Sequence, residues 1–275
     1  MQSYRHFSQL PTAHTGIGPL IHLIQVDTMR FIALLAVALL AFPGAVLAQS
    51  TFTIELEGGP AWQGSNTAEV PNDGTATRFS LSGLVGSGPA PAGRIYTTWH
   101  ISDRHSTRLL VAPLTLTESG IPSDDIAFAG ETYGANESTQ ATYRFNSYRL
   151  TYRYQLLEGS QTNVWVGLTG KIRDAKIELE QGDTTSFDDD LGVLPLAHIG
   201  AEWRPVAPWS IRLDADALAG GPGRAIDAAL TFGYDLNERW TVSAGYRILE
   251  GGADVEQVYN FATLHYAIAG LRWRF

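Results

Sequence analysis

Ile226-Asp227-Ala228-Ala229-Leu230-Thr231-Phe232-Gly233-Tyr234-Asp235 is the stretch whose reading decides the fold. Its even positions carry Ile226, Ala228, Leu230, Phe232 and Tyr234, and its odd positions carry Asp227, Ala229, Thr231, Gly233 and Asp235. Side chains of a strand alternate between two faces, so a period of two reads as a strand with one apolar and one polar face. The same period runs through Trp209 to Asp216, Trp240 to Ile248 and Ser147 to Tyr154. A soluble sandwich turns its polar face to water and fills it mostly with Thr, Ser and Lys. Here that face holds glycine and full charges of both signs, which suits the crowded inside of a narrow barrel whose apolar side faces outward.

Working outward from these segments, ten strands are expected, at about 51–63, 94–101, 106–118, 140–156, 162–180, 191–204, 208–219, 225–236, 239–250 and 260–275. The fold predicted is all-β, a transmembrane antiparallel up-and-down barrel of about ten strands, with eight or twelve left open. No uncharged run of 18 residues follows Ala48, so crossing a bilayer falls to strands, each needing about 9–11 tilted residues. Trp62, Trp99, Trp203, Trp209, Trp240 and Trp273 fall near strand ends, as interfacial girdles do. Short connections (Ser102 to His105, Leu157 to Thr162, Pro205 to Pro208, Asn237 to Arg239) alternate with longer ones (Gly64 to Gly93, Ser119 to Thr139, Gln181 to Asp190, Gly251 to Tyr259). Gly220 to Arg224 is short but belongs to the long-loop rim. Pro113 and Pro195 fall inside strands, where a closed ladder does not accommodate a missing N–H, and are assigned to bulges. After Ile172 the alternation slips: Asp174, Lys176, Glu178 and Glu180 take the apolar parity, so the strand is expected to leave the membrane there.

The N-terminus reads separately. Met29-Arg30, the uncharged run Phe31 to Phe42 and the small-residue end Val46-Leu47-Ala48 form the three parts of a secretory signal. Cleavage is expected after Ala48, leaving Gln49 first. Met29 is the only methionine besides Met1, so residues 1–28 are read as a mis-annotated extension upstream of the true start, 29–48 as signal and 49–275 as one barrel domain; a long signal n-region is the other reading. Removing Arg5, Arg30 and Asp27 with the leader takes the net charge from −9 to −10. Such an acidic chain is a poor partner for nucleic acid. It has no cysteine, as suits a chain that crosses an oxidising compartment unfolded.

The chain ends Gly270-Leu271-Arg272-Trp273-Arg274-Phe275. With its terminal Phe275 and the alternating Leu271 and Trp273, this end resembles the last strand of small bacterial outer-membrane β-barrel proteins, without pointing to a subfamily. The resemblance implies insertion by the barrel assembly machinery, which reads that strand, a place among outer-membrane lipid and lipopolysaccharide, and both termini in the periplasm for an even strand count.

The inward parity collects Glu55, Arg149, Arg153, Lys171, Arg173, Glu202, Arg212, Asp214, Asp216, Asp227, Asp235, Arg247 and Arg272. Unpaired, each would be costly in a narrow lumen; paired across strands they form a salt-bridge plug. The expectation is therefore a non-catalytic structural or surface-interaction barrel with a charge-filled lumen. A narrow channel for small solutes is the alternative, and an outer-leaflet lipid-modifying or proteolytic enzyme the third reading. His265 stands in Leu264-His265-Tyr266 without a serine two residues on, no G-x-S-x-G occurs, and His100, His105 and His198 lie on different elements. No cofactor and no catalytic residue is assigned. Asp124-Asp125 and Asp188-Asp189-Asp190 could offer oxygens to a hard cation, but neither has EF-hand spacing, and no metal site is assigned. Gly220-Gly221-Pro222-Gly223 lacks the Lys and helix of a phosphate loop and reads as a turn.

Overall fold

The computed structural model describes residues 51–221 and 223–275; the expected leader and its cleavage point lie outside the described residues. The elements in chain order are β1 (Thr51–Glu69), β2 (Phe79–Ser80), α1 (Leu81–Val85), β3 (Ala90–His100), β4 (His105–Ala112), β5 (Thr115–Gly120), β6 (Ile126–Phe128), β7 (Glu131–Tyr133), β8 (Thr139–Glu158), β9 (Thr162–Gln181), β10 (Thr184–Trp203), β11 (Trp209–Gly220), β12 (Gly223–Asp235), β13 (Trp240–Asp254) and β14 (Tyr259–Arg274). Each barrel strand pairs antiparallel with its neighbours in the chain, and β14 closes on β1 from Thr53↔Arg274 to Glu69↔Tyr259. Counting β4 and β5 as one interrupted strand, this is a closed barrel of ten, as the alternation predicts. One β-bulge bends β1 between Gln63 and Ser65. Its extra residue is Gly64, where a Cβ would stand 2.3 Å from His265 Nε2, so only glycine fits without displacing that ring.

The outer face is apolar around the barrel: Leu56, Ile95, Leu109, Leu150, Leu168, Ile199, Leu213, Leu230, Phe232 and Leu271 are all exposed. At the end bearing Thr51 and Phe275, aromatics gather in pairs: Phe52 stacks on Trp99 at 6.3 Å, Trp209 meets Tyr234 edge-on at 4.9 Å, and Trp240 lies parallel to Trp273 at 5.3 Å. That is the girdle expected where hydrocarbon meets headgroups.

Three sequence expectations need correction. Gln181 to Asp190 is not a loop. β9 and β10 pair without a break from Thr162↔Trp203 to Gln181↔Thr184, and Gly182, at φ 57°, makes the tight turn. Nor does the parity slip after Ile172. Ala175, Ile177 and Leu179 stay on the inward parity, with Ile177 and Leu179 buried, while Asp174, Lys176, Glu178 and Glu180 stay outward. What inverts is the surroundings: beyond the apolar band the outside is water and the inside an apolar core. Arg144 pairs with Asp174 at 2.8 Å on that outer surface.

Finally, neither internal proline makes a bulge. Pro195 stands opposite Gly170 in unshifted register, and the β4–β8 and β5–β8 pairings on either side of Pro113 share one register. Both prolines sit where the ladder on their other side has ended. The β3–β4 pairing stops at Ile95↔Val111, and β10–β11 starts only at Ala197↔Ala217. A strand edge without a partner is where a missing N–H costs nothing.

Candidate functional site

The lumen has two zones, stacked along the barrel axis. Toward the end bearing Thr51 and Phe275, strand alternation points one charged side chain after another inward, and these meet in three closely packed, hydrogen-bonded groups. Arg212 grips Glu55 with both terminal nitrogens, Nη1 to Oε2 at 2.7 Å, and Arg272 donates to Glu55 at 3.1 Å and to Glu202 at 3.0 Å. Arg108 holds Asp214 at 2.5 and 2.9 Å. At the centre Asp227 accepts from three guanidiniums: Arg94 at 3.0 Å, Arg149 at 2.5 Å and Arg247 at 2.5 Å. Arg247 also donates twice to Glu57, at 2.8 Å each, and to the Tyr96 hydroxyl at 2.8 Å. Arg149 continues to Asp216 at 2.7 Å, which His198 Nδ1 and the Thr169 hydroxyl each reach at 2.9 Å.

Charge comes close to balance. Seven carboxylates (Glu55, Glu57, Glu202, Asp214, Asp216, Asp227, Asp235) engage seven arginines (Arg94, Arg108, Arg149, Arg204, Arg212, Arg247, Arg272), and Arg274 stands 3.6 Å from Asp235. Each ion removed from water costs several kcal/mol on its own, roughly, so an assembly of equal and opposite charges with bidentate geometry is the arrangement in which that cost is offset. Asp235 lies nearer the mouth, with Arg204 at 2.5 Å and the Thr241 hydroxyl at 2.5 Å. Arg173 pairs with Asp190 in the outer zone, apart from the cluster.

All thirteen residues read as inward from the sequence point into the barrel, but they do not all act together: Arg153, Lys171 and Arg173 stand off the cluster, while Asp235 joins it through Arg204, which also holds Glu202 at 2.7 Å. Sequence reasoning missed Glu57, Arg94, Arg108, Tyr96 and His198. The signal was available. Glu57 follows Glu55 by two, and Arg94-Tyr96-Thr98 and Ser106-Arg108-Leu110 share parities that alternate with Ile95, Thr97, Thr107 and Leu109.

Toward the other end the lumen turns apolar. Leu116, Ala141, Tyr143, Ile177, Leu179, Ala262, Leu264, Tyr266 and Ile268 form one core that is closed from above by the segments following β1 and β5. From the first, Val70 and Leu81 enter; from the second, Ile126, Phe128 and Tyr133. Phe128 meets Phe79 edge-on at 5.9 Å, and the Tyr133 hydroxyl donates to the Leu179 carbonyl at 2.9 Å. Burying a Phe or Tyr ring this fully contributes about 1.5–3 kcal/mol each, so the cap is held by packing as well as by its chain connections.

The acid-rich segment sits on the exposed edge that β10 presents beyond β11. Asp188 and Asp190 share a strand face, Asp189 takes the opposite one, and Arg173 occupies Asp190. Burial, with the charges of Asp189 and Asp190 adding to it, raises the Asp188 carboxyl above its usual pKa. Charges followed by Pro195 on an unpaired edge are a known way to keep a strand from recruiting another chain. Of the histidines, His265 faces outward and hydrogen-bonds Tyr246 through Nδ1 at 2.5 Å, His105 reaches Tyr152 at 2.6 Å, and His100 reaches Thr53 at 3.2 Å. Among the described histidines, only His198 joins the lumen network. The described residues contain no group of three or more His, Cys, Asp or Glu placed to hold a metal ion.

Phe275 docks the end of the chain: its N–H donates to the Phe52 carbonyl at 2.9 Å, and its ring lies 3.9 Å from that of Trp273. Deleting Phe275 is expected to lower the folded yield in the outer membrane and leave unfolded chain in the periplasm, as heat-modifiability on gels would show. An unchanged folded fraction would remove Leu271, Trp273 and Phe275 as the assembly signal.

No protein-family model matches the sequence, and no curated protein does. Among solved structures the chain is similar to the outer membrane protease OmpT of Escherichia coli, at 10% identity and TM-score 0.49, over 84% of this chain and 99% of that one. It is also similar to Ail, the attachment invasion locus protein of Yersinia pestis, at 9% identity and TM-score 0.39, over 82% and 99%. The third is Neisserial surface protein A, at 15% identity and TM-score 0.34, over 82% and 97%. These neighbours are bacterial outer-membrane β-barrel proteins.

Proposed function

We propose that this chain is a bacterial outer-membrane barrel that is closed to solutes and serves a structural or surface-interaction role, both termini periplasmic and the capped, acidic end outward. Its partners in that role are outer-membrane lipid and lipopolysaccharide, with the barrel assembly machinery acting on its last strand. One observation carries the reading: the lumen is filled twice over, by a charge-balanced network and then by an apolar core under a cap. A polar solute would have to break the first and be desolvated by the second.

Planar-bilayer recording of the purified protein tests it. No sustained conductance is expected from the native chain. Deleting the cap segment 121–138 is expected to leave the bilayer tight, because the charged zone still fills the bore. Stable, ion-selective conductance steps from the native protein would overturn the reading in favour of a narrow channel.

A further inference from the structure

One strand edge at the capped end of the barrel is unpaired. β10 pairs with β9 along its whole length, from Thr184↔Gln181 to Trp203↔Thr162, but meets β11 only from Ala197 onward. A two-residue turn, Gly182-Asp183, joins β9 to β10, so Gln181 and Thr184 form a hydrogen-bonded pair and the even residues of β10 bond to β9. The N–H and C=O groups of Thr185, Phe187, Asp189, Leu191 and Val193 therefore point off the free edge, without a backbone partner among the described residues. Pro195, next in that series, has no N–H and ends the run. Phe187 is exposed, and Leu191 and Val193 are 73% and 76% exposed, so nothing described covers the edge. From Trp203, near the other end of the strand, ten residues lead to Val193, about 24–28 Å along the axis at 3.4 Å per residue and a 35–45° tilt. That is the height of the apolar band, so Thr185 to Leu191 stand beyond the hydrocarbon.

Charge is segregated along the same axis. The segments of the capped end, 65–90, 115–146, 173–192, 223–226 and 249–260, hold 17 carboxylates against five lysines and arginines, a net charge of −12, while the rest of 49–275 sums to +2. On the free edge itself Asp188, Asp189 and Asp190 are consecutive. Arg173 holds Asp190, and Lys176, cross-strand from Asp189, turns to Glu178 instead. Asp188 and Asp189 have no cation within salt-bridge distance among the described residues. These charges turn away an acidic strand, a neutral one, and a second copy of this chain. A strand with lysine or arginine opposite the three aspartates meets opposite charge at each cross-strand position.

We propose that the free edge of β10, from Thr185 to Val193, docks an extended basic segment of another protein, which joins the sheet as a further strand with three consecutive lysines or arginines opposite Asp188, Asp189 and Asp190. Main-chain hydrogen bonds to the five off-edge residues supply the ladder. Apolar side chains of the segment lie against Phe187 and Leu191 on the outer face, and its basic run supplies the specificity. The proposal rests on the surface-interaction reading, with the capped end outward, so its test reads orientation separately.

The experiment uses the full protein in phosphatidylcholine nanodiscs and a short peptide in which alternating Thr and Val flank a central Arg-Lys-Arg. At saturation the amides of Thr185, Phe187, Asp189, Leu191 and Val193 are expected to exchange with solvent about tenfold more slowly, while those of Ser186, Asp188, Asp190 and Gly192, already bonded to β9, stay unchanged. The same peptide N-methylated on the residues that face β10 keeps its charge but forms no ladder, and is expected to bind about tenfold more weakly. A peptide with glutamates in place of the basic run is expected not to bind. Leu191→Pro removes an off-edge N–H without breaking a bond to β9, and is expected to weaken binding about tenfold. Asp188→Asn with Asp189→Asn, which leaves the backbone alone, is expected to weaken it about fivefold. Equal binding of the N-methylated peptide would reduce the interaction to general attraction by an acidic surface and overturn the proposal. Protection that does not alternate along β10, or binding unchanged in the Asn variant, would overturn it as well. Orientation is read with Thr185→Cys in a chain that otherwise has no cysteine, which a membrane-impermeant maleimide is expected to label on intact cells. Absence of that label would strike the outward placement, whereas the nanodisc measurements judge the edge itself.

Discussion

Replacing Asp227 with alanine is expected to destabilise the barrel by about 3–5 kcal/mol, because it removes one partner of a buried ion cluster and strands the others. Arg94, Arg149 and Arg247 all donate to this one carboxylate, and each is at least nine-tenths buried. After the change Arg149 keeps Asp216 and Arg247 keeps Glu57, but Arg94 is left with Glu57 at 3.8 Å alone. Six carboxylates then face seven arginines. The paired test is Asp227→Ala with Arg94→Met, which restores equal numbers and is expected to recover a large part of the loss. Reversible urea unfolding in lipid vesicles, run as a double-mutant cycle, reads the coupling directly. A single-variant cost under about 1 kcal/mol would mean that water reaches Asp227 in the folded barrel and that the lumen is wetter than its packing implies.

The barrel was legible in the sequence because period-two alternation is a local signal that survives wherever the two faces meet different surroundings. Strand 226–234 announces itself through Leu230 against Thr231, and the ten expected strands match the ten of the barrel. Legibility failed where the surroundings changed along one strand. Beyond Ile172 the inside becomes the apolar side, so a pattern read with a fixed outside looks like a slip, although the side chains never change face. The hairpin at 181–184 was hidden for the same reason: a strand wetted on its outer face and rich in Asp resembles a loop in composition. The prolines misled differently. A missing N–H shows in the sequence, but which neighbour has already ended is a property of register, and register is not local.

The lumen was half legible. Parity alone placed the charges inside, and cross-strand pairing followed from the cost of burying them singly. Which acid meets which base depends on barrel closure. Arg149 of β8 meets Asp227 of β12 across the bore, and Arg247 of β13 reaches Glu57 of β1, 190 residues away in sequence. No spacing rule along the chain predicts such partners. The leftover status of Lys171 is likewise visible only after every neighbour has been paired.

Leu230→Arg is expected to cost about 2–4 kcal/mol, and Leu236→Arg, six residues along the same chain segment, about 0–1 kcal/mol, because the penalty for a charge on the lipid face follows depth. Leu230 is 44% exposed on the outward face, cross-strand from Leu213 on one side and Tyr246 on the other. Four residues separate it from Tyr234 of the girdle, roughly 10 Å along the axis at a 35–45° tilt, which puts it near the middle of an apolar band about 25 Å tall. An arginine there has no water within reach of its head except by thinning the bilayer. Leu236 is 57% exposed in the turn after β12, where its N–H donates to the Trp240 carbonyl, below the girdle and within reach of the aqueous phase. Both variants replace an exposed leucine and leave the lumen untouched, so the difference between them isolates depth from fold. Urea midpoints in vesicles of one lipid composition supply the comparison. Equal costs at the two positions would mean that the apolar band does not sit in hydrocarbon at Leu230, and a loss at Leu236 exceeding that at Leu230 would invert the assigned depth of β12.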